Sequence, residues 1–245
     1  MEEHKFVIVE GVNGFLRWVM GLLGVKGLEG KDIIPPHILM AIFVVAIIVL
    51  FFKLTVKKPN LSVTEPSKMQ IFLEMIYRFF QNLVDDMIGH EGRKFIPILT
   101  TLGLFIGLSN FLGLLPEMES PTANLNTTAG CAIFIFLYYH YQGVRKHGFF
   151  GYIRTLMGPV WWLGPIFLPI ELISHLSRPL SLSLRLFGNI FGEDLVIIVI
   201  ASLLPLPLLI PLPVMALAVI TSLLQAFIFV MLSTIYLAGA MAEEH

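Results

Sequence analysis

The sequence predicts an all-α integral membrane protein with five transmembrane helices, two of them long, tilted and C-terminal, plus one amphipathic interfacial helix. Three observations carry that prediction. The 245 residues are 56% hydrophobic and only 13% charged, against about 25% charged in a soluble domain. The apolar residues fall into runs long enough to cross a hydrocarbon core of about 30 Å. The charges gather in short clusters between those runs. A net charge of -1 gives no sign of nucleic-acid binding, and the single cysteine, Cys131, excludes an intrachain disulfide. No segment between the apolar runs is long enough to form a soluble domain.

Residues 1–34 form an N-terminal segment. Met1-Glu2-Glu3-His4 is acidic, unlike the basic start of a signal peptide, and residues 5–25 read as a short interfacial helix. Residues 35–58 hold the first span, from about Ile38 to Val56 behind Pro35-Pro36, closed by Lys53, Lys57 and Lys58. Residues 67–90 differ in kind. Met69, Phe72, Met75, Ile76, Phe79, Phe80, Leu83 and Met87 recur at helical spacing, with Lys68, Glu74, Arg78, Gln81, Asp85 and Asp86 between them. One apolar face and one charged face suit a helix lying on a membrane surface or packed beneath a bundle.

Residues 95–144 read as a hairpin of two spans, Phe95 to Leu115 and about Thr127 to Tyr141, joined by an acidic turn without bases. Residues 155–245 hold two long segments. The first, about Pro159 to Leu204, would be about 70 Å long as one helix, so it either folds back or lies steeply tilted, with Pro165, Pro169 and Pro179 as places to bend. Pro205, Pro207, Pro211 and Pro213 separate it from the second, about Val214 to Met241. The basic residues cluster in the loops around 57–68, 93–94 and 145–154. The positive-inside rule places these loops in the cytoplasm, the N-terminus outside and the C-terminus inside.

The first long segment carries a stripe of polar residues. At about 100° per residue, and relative to Arg185, Arg178 falls at about 20°, Glu171 and Asn189 at about 40°, and His175 and Glu193 at about 80°. Ser174 lies at about -20° and Ser181 at about -40°, while Asp194 alone points away. Arg185 is the sharpest feature. Arginine keeps its proton in proteins, and a charge at mid-bilayer costs about 2.5–3.5 kcal/mol on insertion scales. It therefore needs a partner, a water-filled cavity or a function. Ionisable groups along one face of a membrane helix belong to proton relays or ion pathways, which favours function for Glu171, His175, Glu193 and Asp194. Ser174, Arg178 and Ser181 fit interhelical hydrogen bonding as well, and so does Gln225, a lone amide in the last segment.

Ser181-Leu182-Ser183-Leu184-Arg185-Leu186-Phe187-Gly188-Asn189 resembles the signature of subunit a of the F-type ATP synthase membrane sector. Glu171-Leu172-Ile173-Ser174, Gln225-Ala226-Phe227-Ile228-Phe229 and the ending Glu243-Glu244-His245 resemble further motifs of that family. The resemblance covers most of the chain. It implies a stator subunit with two proton half-channels, whose essential arginine matches Arg185 and faces the carboxyl groups of a rotating ring of c subunits. A cation within about 4–6 Å lowers a carboxyl pKa by roughly 1–3 units, so a ring carboxyl arriving there releases its proton. The resemblance also implies that Asn189 and Gln225 orient the guanidinium or line the channels, and that Glu193 and Asp194 are both candidates for the family's acidic channel position. Where some members carry histidine this chain has Ala218, and His175 is the candidate to supply an imidazole instead. The implied partners are the c-ring, peripheral-stalk b subunits, the remaining synthase subunits and the lipid bilayer of a bacterial inner membrane. No cofactor or metal is called for, and there is no Gly-rich phosphate loop for nucleotide chemistry on this chain. The competing reading is an ion-coupled secondary transporter, which such folds often betray by an internal repeat; none is visible here.

Overall fold

A computed structural model describes residues 7–22, 33–55, 68–115, 118–157, 164–203 and 211–242. Lys57 and Lys58, Pro116 and Glu117, Pro205 and Pro207, and the terminal Glu243-Glu244-His245 lie outside the described residues, as do the first six residues. Among the described residues every regular element is helical: α1 (Val7–Leu22), α2 (Pro36–Thr55), α3 (Lys68–Met87), α4 (Ile96–Gly113), α5 (Leu125–Met157), α6 (Gly164–Leu203) and α7 (Pro211–Met241), with short 3-10 turns before and after α4.

Three stretches are long and apolar enough, by length and composition, to cross a membrane: Pro36–Thr55, His90–Gly113 and Pro213–Met241. The α2 helix is apolar all round, and Ile42, Val45, Val49 and Leu54 stay exposed on it, as a span facing lipid requires. It packs through Met40 and Val44 against Leu112 of α4. The α1 helix is tied to the lead-in of α2 by one side chain: Asn13 Oδ1 accepts from the Ile33 and Ile34 amides at 3.1 and 3.0 Å, and Nδ2 donates to the Ile34 carbonyl at 3.2 Å.

The α4, α5, α6 and α7 helices form the main body, with α5 lying along α6 and α4 along α7. Their shared core includes Leu99, Ile106, Ile135, Tyr139, Leu186 and Phe229. The α3 helix is only partly covered: Phe80 and Val84 join this core and Ile76 and Leu83 pack against it, while Met69, Phe72, Met75 and Phe79 of the apolar face stay exposed along with Lys68, Glu74 and Arg78.

Two features differ from the expected spans. The α5 helix does not stop near Tyr141; it continues through Arg145-Lys146-His147 and breaks only at Gly148, whose φ of 73° lies in the left-handed region that glycine tolerates. Gln142 and Gly143 are buried, so packing carries the helix past its apolar stretch. Residues 149–157 then turn back, and the Tyr152 ring closes on Gly143 so tightly that a Cβ there would collide with it. The α6 helix does not fold back. It is one helix of 40 residues through Pro169 and Pro179, about 60 Å long. Near Pro179, hydroxyls bond back to carbonyls of their own helix: Ser177 donates to Ser174 at 2.7 Å and Ser181 to Arg178 at 3.3 Å.

Candidate functional site: the polar seam of α6

The face of α6 that packs into the bundle is marked by His175, Leu182, Leu186 and Ile190. On the helical wheel this face is centred roughly 90° from Arg185. The polar stripe therefore straddles the boundary between the packed and the open side. His175 is buried, Glu171, Arg178, Glu193 and Asp194 are half-buried, and Ser181, Arg185 and Asn189 are exposed. The structure divides these residues into two groups, one on each side of Arg185 along the helix.

Toward the N-terminal end of α6, the Glu171 carboxylate lies 3.3 Å from His175 Nε2 and 3.6 Å from the Arg178 guanidinium. A carboxylate beside Nε2 favours the tautomer that carries its proton there, leaving Nδ1 to accept from the Tyr139 hydroxyl of α5 at 3.0 Å. The His140 ring lies 5.0 Å from that of His175, centroid to centroid, and its Nδ1 pairs with the Tyr152 hydroxyl at 2.8 Å. The Arg178 guanidinium sits 5.2 Å from the centre of the Tyr236 ring of α7, a cation–π contact. Ser174 contributes its carbonyl to Ser177. Two imidazoles, three phenols, a guanidinium and a carboxylate thus adjoin where α5, α6 and α7 meet.

Toward the C-terminal end, Asn189 Nδ2 donates to Gln225 Oε1 at 2.7 Å, and the Thr221 hydroxyl donates to the Glu193 carboxylate. Both bonds join α6 to α7. Polar groups continue behind α7: Asn110 of α4 donates to the Ser222 carbonyl at 3.2 Å, and Thr122 donates to Asn110 Oδ1 at 2.6 Å. Gln225 Nε2, Ser222 Oγ and Ser109 Oγ are buried there without a protein partner, and buried polar atoms of this kind are ordinarily met by water. Asp194 has no hydrogen-bond or ion-pair partner among the described residues.

Arg185 stands between the two groups. It is exposed, and among the described residues no carboxylate, carbonyl or aromatic ring pairs with it. His175 lies about 27 Å along α6 from Glu193 at 1.5 Å per residue, whereas Ala218 sits next to Thr221, whose hydroxyl also reaches the Ala218 carbonyl at 3.1 Å. The two positions therefore belong to opposite ends of the seam. Sequence reasoning missed Tyr139, His140 and Tyr152, although Tyr138-Tyr139-His140-Tyr141 is a visible polar break in an apolar run. It also missed Asn110, Thr122 and Thr221. No three metal-ligating side chains converge among the described residues.

Fold and seam together define a class: a multi-pass helical membrane subunit with a polar path through its bundle and an arginine offered outward from its long helix. The family model of the ATP synthase A chain matches residues 38–238, and the chain belongs to that family. It is 48% identical over 180 residues to ATP synthase subunit a of Geobacter sulfurreducens, covering 74% of this chain and 77% of the relative. It is 45% identical over 199 residues to ATP synthase subunit a of Trichlorobacter lovleyi, covering 81% and 85%. It is 42% identical over 210 residues to ATP synthase subunit a of a Sulfurihydrogenibium species, covering 85% and 99%.

Proposed function

We propose that this chain is the stator subunit of the membrane sector of an F-type ATP synthase, and that it couples proton flow to rotation of a c-ring through Arg185. The carrying observation is the placement of Arg185. It is a permanent cation exposed on the long helix, with polar groups to either side and none of the described ones paired to it. A buried or lipid-facing arginine without a counter-ion is costly, so its counter-ion comes from outside the chain. A carboxylate on the rotor meets that need and is exchanged for the next at each step.

Two half-channels follow from the two polar groups. One runs by Glu193, Asp194, Asn189 and Gln225, with the Asn110–Thr122 network leading to it. The other runs by Glu171, His175, Ser174 and Ser181. Arg185 divides them, because a fixed positive charge repels a proton that would pass directly between them. Beside Arg185 a rotor carboxyl gives up its proton, since a neighbouring cation favours the ionised form. Lysine would serve poorly, being able to lose its proton when buried. Nucleotide chemistry belongs to other subunits of the complex; this one moves protons.

In this reading α2, α4, α5, α6 and α7 are the five spans, with α6 and α7 tilted because about 60 Å and about 47 Å of helix both exceed a hydrocarbon core of about 30 Å. The chain sits in a bacterial inner membrane with its N-terminus outside and C-terminus in the cytoplasm, next to the c-ring and peripheral-stalk b subunits. The test is ATP-driven acidification of inverted membrane vesicles. R185A abolishes pumping while the complex still assembles; pumping that persists in an assembled R185A complex overturns the reading.

A further inference from the structure

A second polar feature lies away from the seam. A cavity of about 590 Å3 opens between the turn that starts α4, the last helical turns of α5 before its kink, and the end of α7. Lys94, Arg145 and Lys146 line it, with Tyr138 and Gln142 as polar wall and Glu91 as the acid. Among the described residues three cations thus face one carboxylate. Lys146 is already engaged: it donates to the Met241 carbonyl at 2.8 Å and stands 3.8 Å from Glu91. Lys94 and Arg145 are exposed, and among the described residues neither has a carboxylate within ion-pair distance. Lys94 rests over the Phe95 ring, 5.0 Å from its centre.

The surroundings are apolar in a particular direction. Phe134, Leu137 and Tyr141 are exposed on α5 at spacings of three, four and seven residues, so they form one stripe running from the cavity along the helix. The Phe134 ring stacks on that of Tyr138 at 6.1 Å with 13° between planes, joining the stripe to the cavity wall. Beyond the cavity, at the kink, Phe149 is 63% and Phe150 85% exposed.

We propose that this cavity binds the phosphate of an anionic phospholipid, with Arg145 and Lys94 on the phosphate and an acyl chain along Phe134, Leu137 and Tyr141. Arginine presents a planar fork that matches phosphate oxygens, and basic pockets between membrane helices on the cytoplasmic side take anionic headgroups. An acidic peptide or a free anion would leave the apolar stripe uncovered; an amphiphile covers both parts. The bound lipid joins the start of α4 to the end of α7, and so steadies the helix that carries Gln225. The site is independent of the role of Arg185.

The test uses the purified complete synthase in nanodiscs of phosphatidylcholine with or without phosphatidylglycerol, read by native mass spectrometry and by the temperature at which this subunit dissociates. The wild-type complex retains phosphatidylglycerol through detergent washing and is stabilised by it. K94Q/R145Q lowers apparent affinity for that lipid about 25-fold, each cation near the surface contributing about fivefold, and leaves the dissociation temperature in pure phosphatidylcholine unchanged. L137N weakens lipid retention without that loss of charge. Undiminished phosphatidylglycerol binding in K94Q/R145Q overturns the proposal. An equal drop in dissociation temperature in both lipids overturns it too, because the cations then serve an internal contact. Protection by inorganic phosphate alone, equal to that by phosphatidylglycerol, assigns the cavity to a free anion and overturns the lipid site.

Discussion

One turn beyond Arg185, the Asn189 side-chain amide donates to Gln225 Oε1 at 2.7 Å, pinning α6 to α7 beside the charge. Gln225 is 1% exposed and its Nε2 is buried without a protein partner. The pair therefore spends one amide group on holding the helices and keeps another turned toward the buried polar region behind α7. Interhelical hydrogen bonds in membranes average about 0.6 kcal/mol and reach about 1.7 kcal/mol. A double-mutant cycle of N189L and Q225L, followed by denaturant unfolding in detergent, gives a coupling of about 1 kcal/mol. A coupling of zero means the two amides act separately.

The contact of Tyr139 with His175 tests the other half of the seam. Y139F deletes a hydroxyl that is donated to Nδ1 and leaves a buried acceptor unmet, a loss of about 1 kcal/mol in stability. The 15N spectrum of labelled histidine reads the same bond directly, since the Nδ1 resonance of His175 moves when its donor goes. If His175 relays protons, H175A slows ATP-driven pumping in a pH-dependent way, and H175A vesicles that pump fully at every pH remove it from the path.

Much of this architecture was legible in the chain. Arg185 announces itself because a permanent charge inside an apolar run has no bland explanation, and the face shared by Glu171, His175, Arg178 and Asn189 follows from helical spacing. The α3 amphipathic pattern marks the helix and its two faces but not its burial: of the residues that define its apolar face only Phe80 is buried, and Met69, Phe72, Met75 and Phe79 stay exposed. What could not be read was the other side of each contact. Tyr139 meets His175 across 36 positions and Asn110 meets Ser222 across 112, and local periodicity carries no information about such pairs. The length of α5 was hidden for a related reason. Arg145-Lys146-His147 looks like a loop by composition, but burial of the preceding Gln142 and Gly143 holds the helix together until Gly148 permits the turn.

The bond from Thr221 to Glu193 separates the two acids toward the C-terminal end of α6. T221V removes the one side-chain donor that Glu193 has among the described residues, while Asp194 keeps its surroundings. If Glu193 carries protons, T221V and E193Q both slow ATP-driven pumping, E193Q by roughly 100-fold or more as for loss of a proton-transfer group, and D194N does so independently. Pumping in T221V/E193Q equal to that in E193Q shows that Thr221 acts through Glu193.

In the turn ahead of α4, Arg93 grips Asp85 with two bonds, Nε to Oδ1 at 3.0 Å and Nη2 to Oδ2 at 2.7 Å. This clamps the end of α3 to the turn that leads into α4. The Arg93 hydrogen bond holds the Asp85 carboxyl below its ordinary value of 3.8. A carboxyl depressed in the folded state contributes stability that is full above the unfolded value and is lost as pH falls through the folded one. Proteolytic nicking of residues 88–95 therefore increases in acid below about pH 3.8, and D85N removes that pH dependence. Because the pair is exposed, salt weakens it; a clamp indifferent to salt and acid would mean that packing alone holds the turn.

Gly143 supports the His175 end of the seam by having no side chain. Its backbone lies against the Tyr152 ring, and an added Cβ would meet ring carbons before any backbone could yield. G143A must therefore displace Tyr152, and with it the 2.8 Å bond from that phenol to His140. Overpacking of this type costs about 1–3 kcal/mol. Alanine is itself a better helix former than glycine by about 1 kcal/mol, so the sign of the effect depends on the ring. In a Y152A background the obstruction is gone, and G143A becomes neutral or stabilising by thermal denaturation of the purified complex. A G143A penalty that stays the same with and without the Tyr152 ring would show that Gly143 serves some contact other than this one.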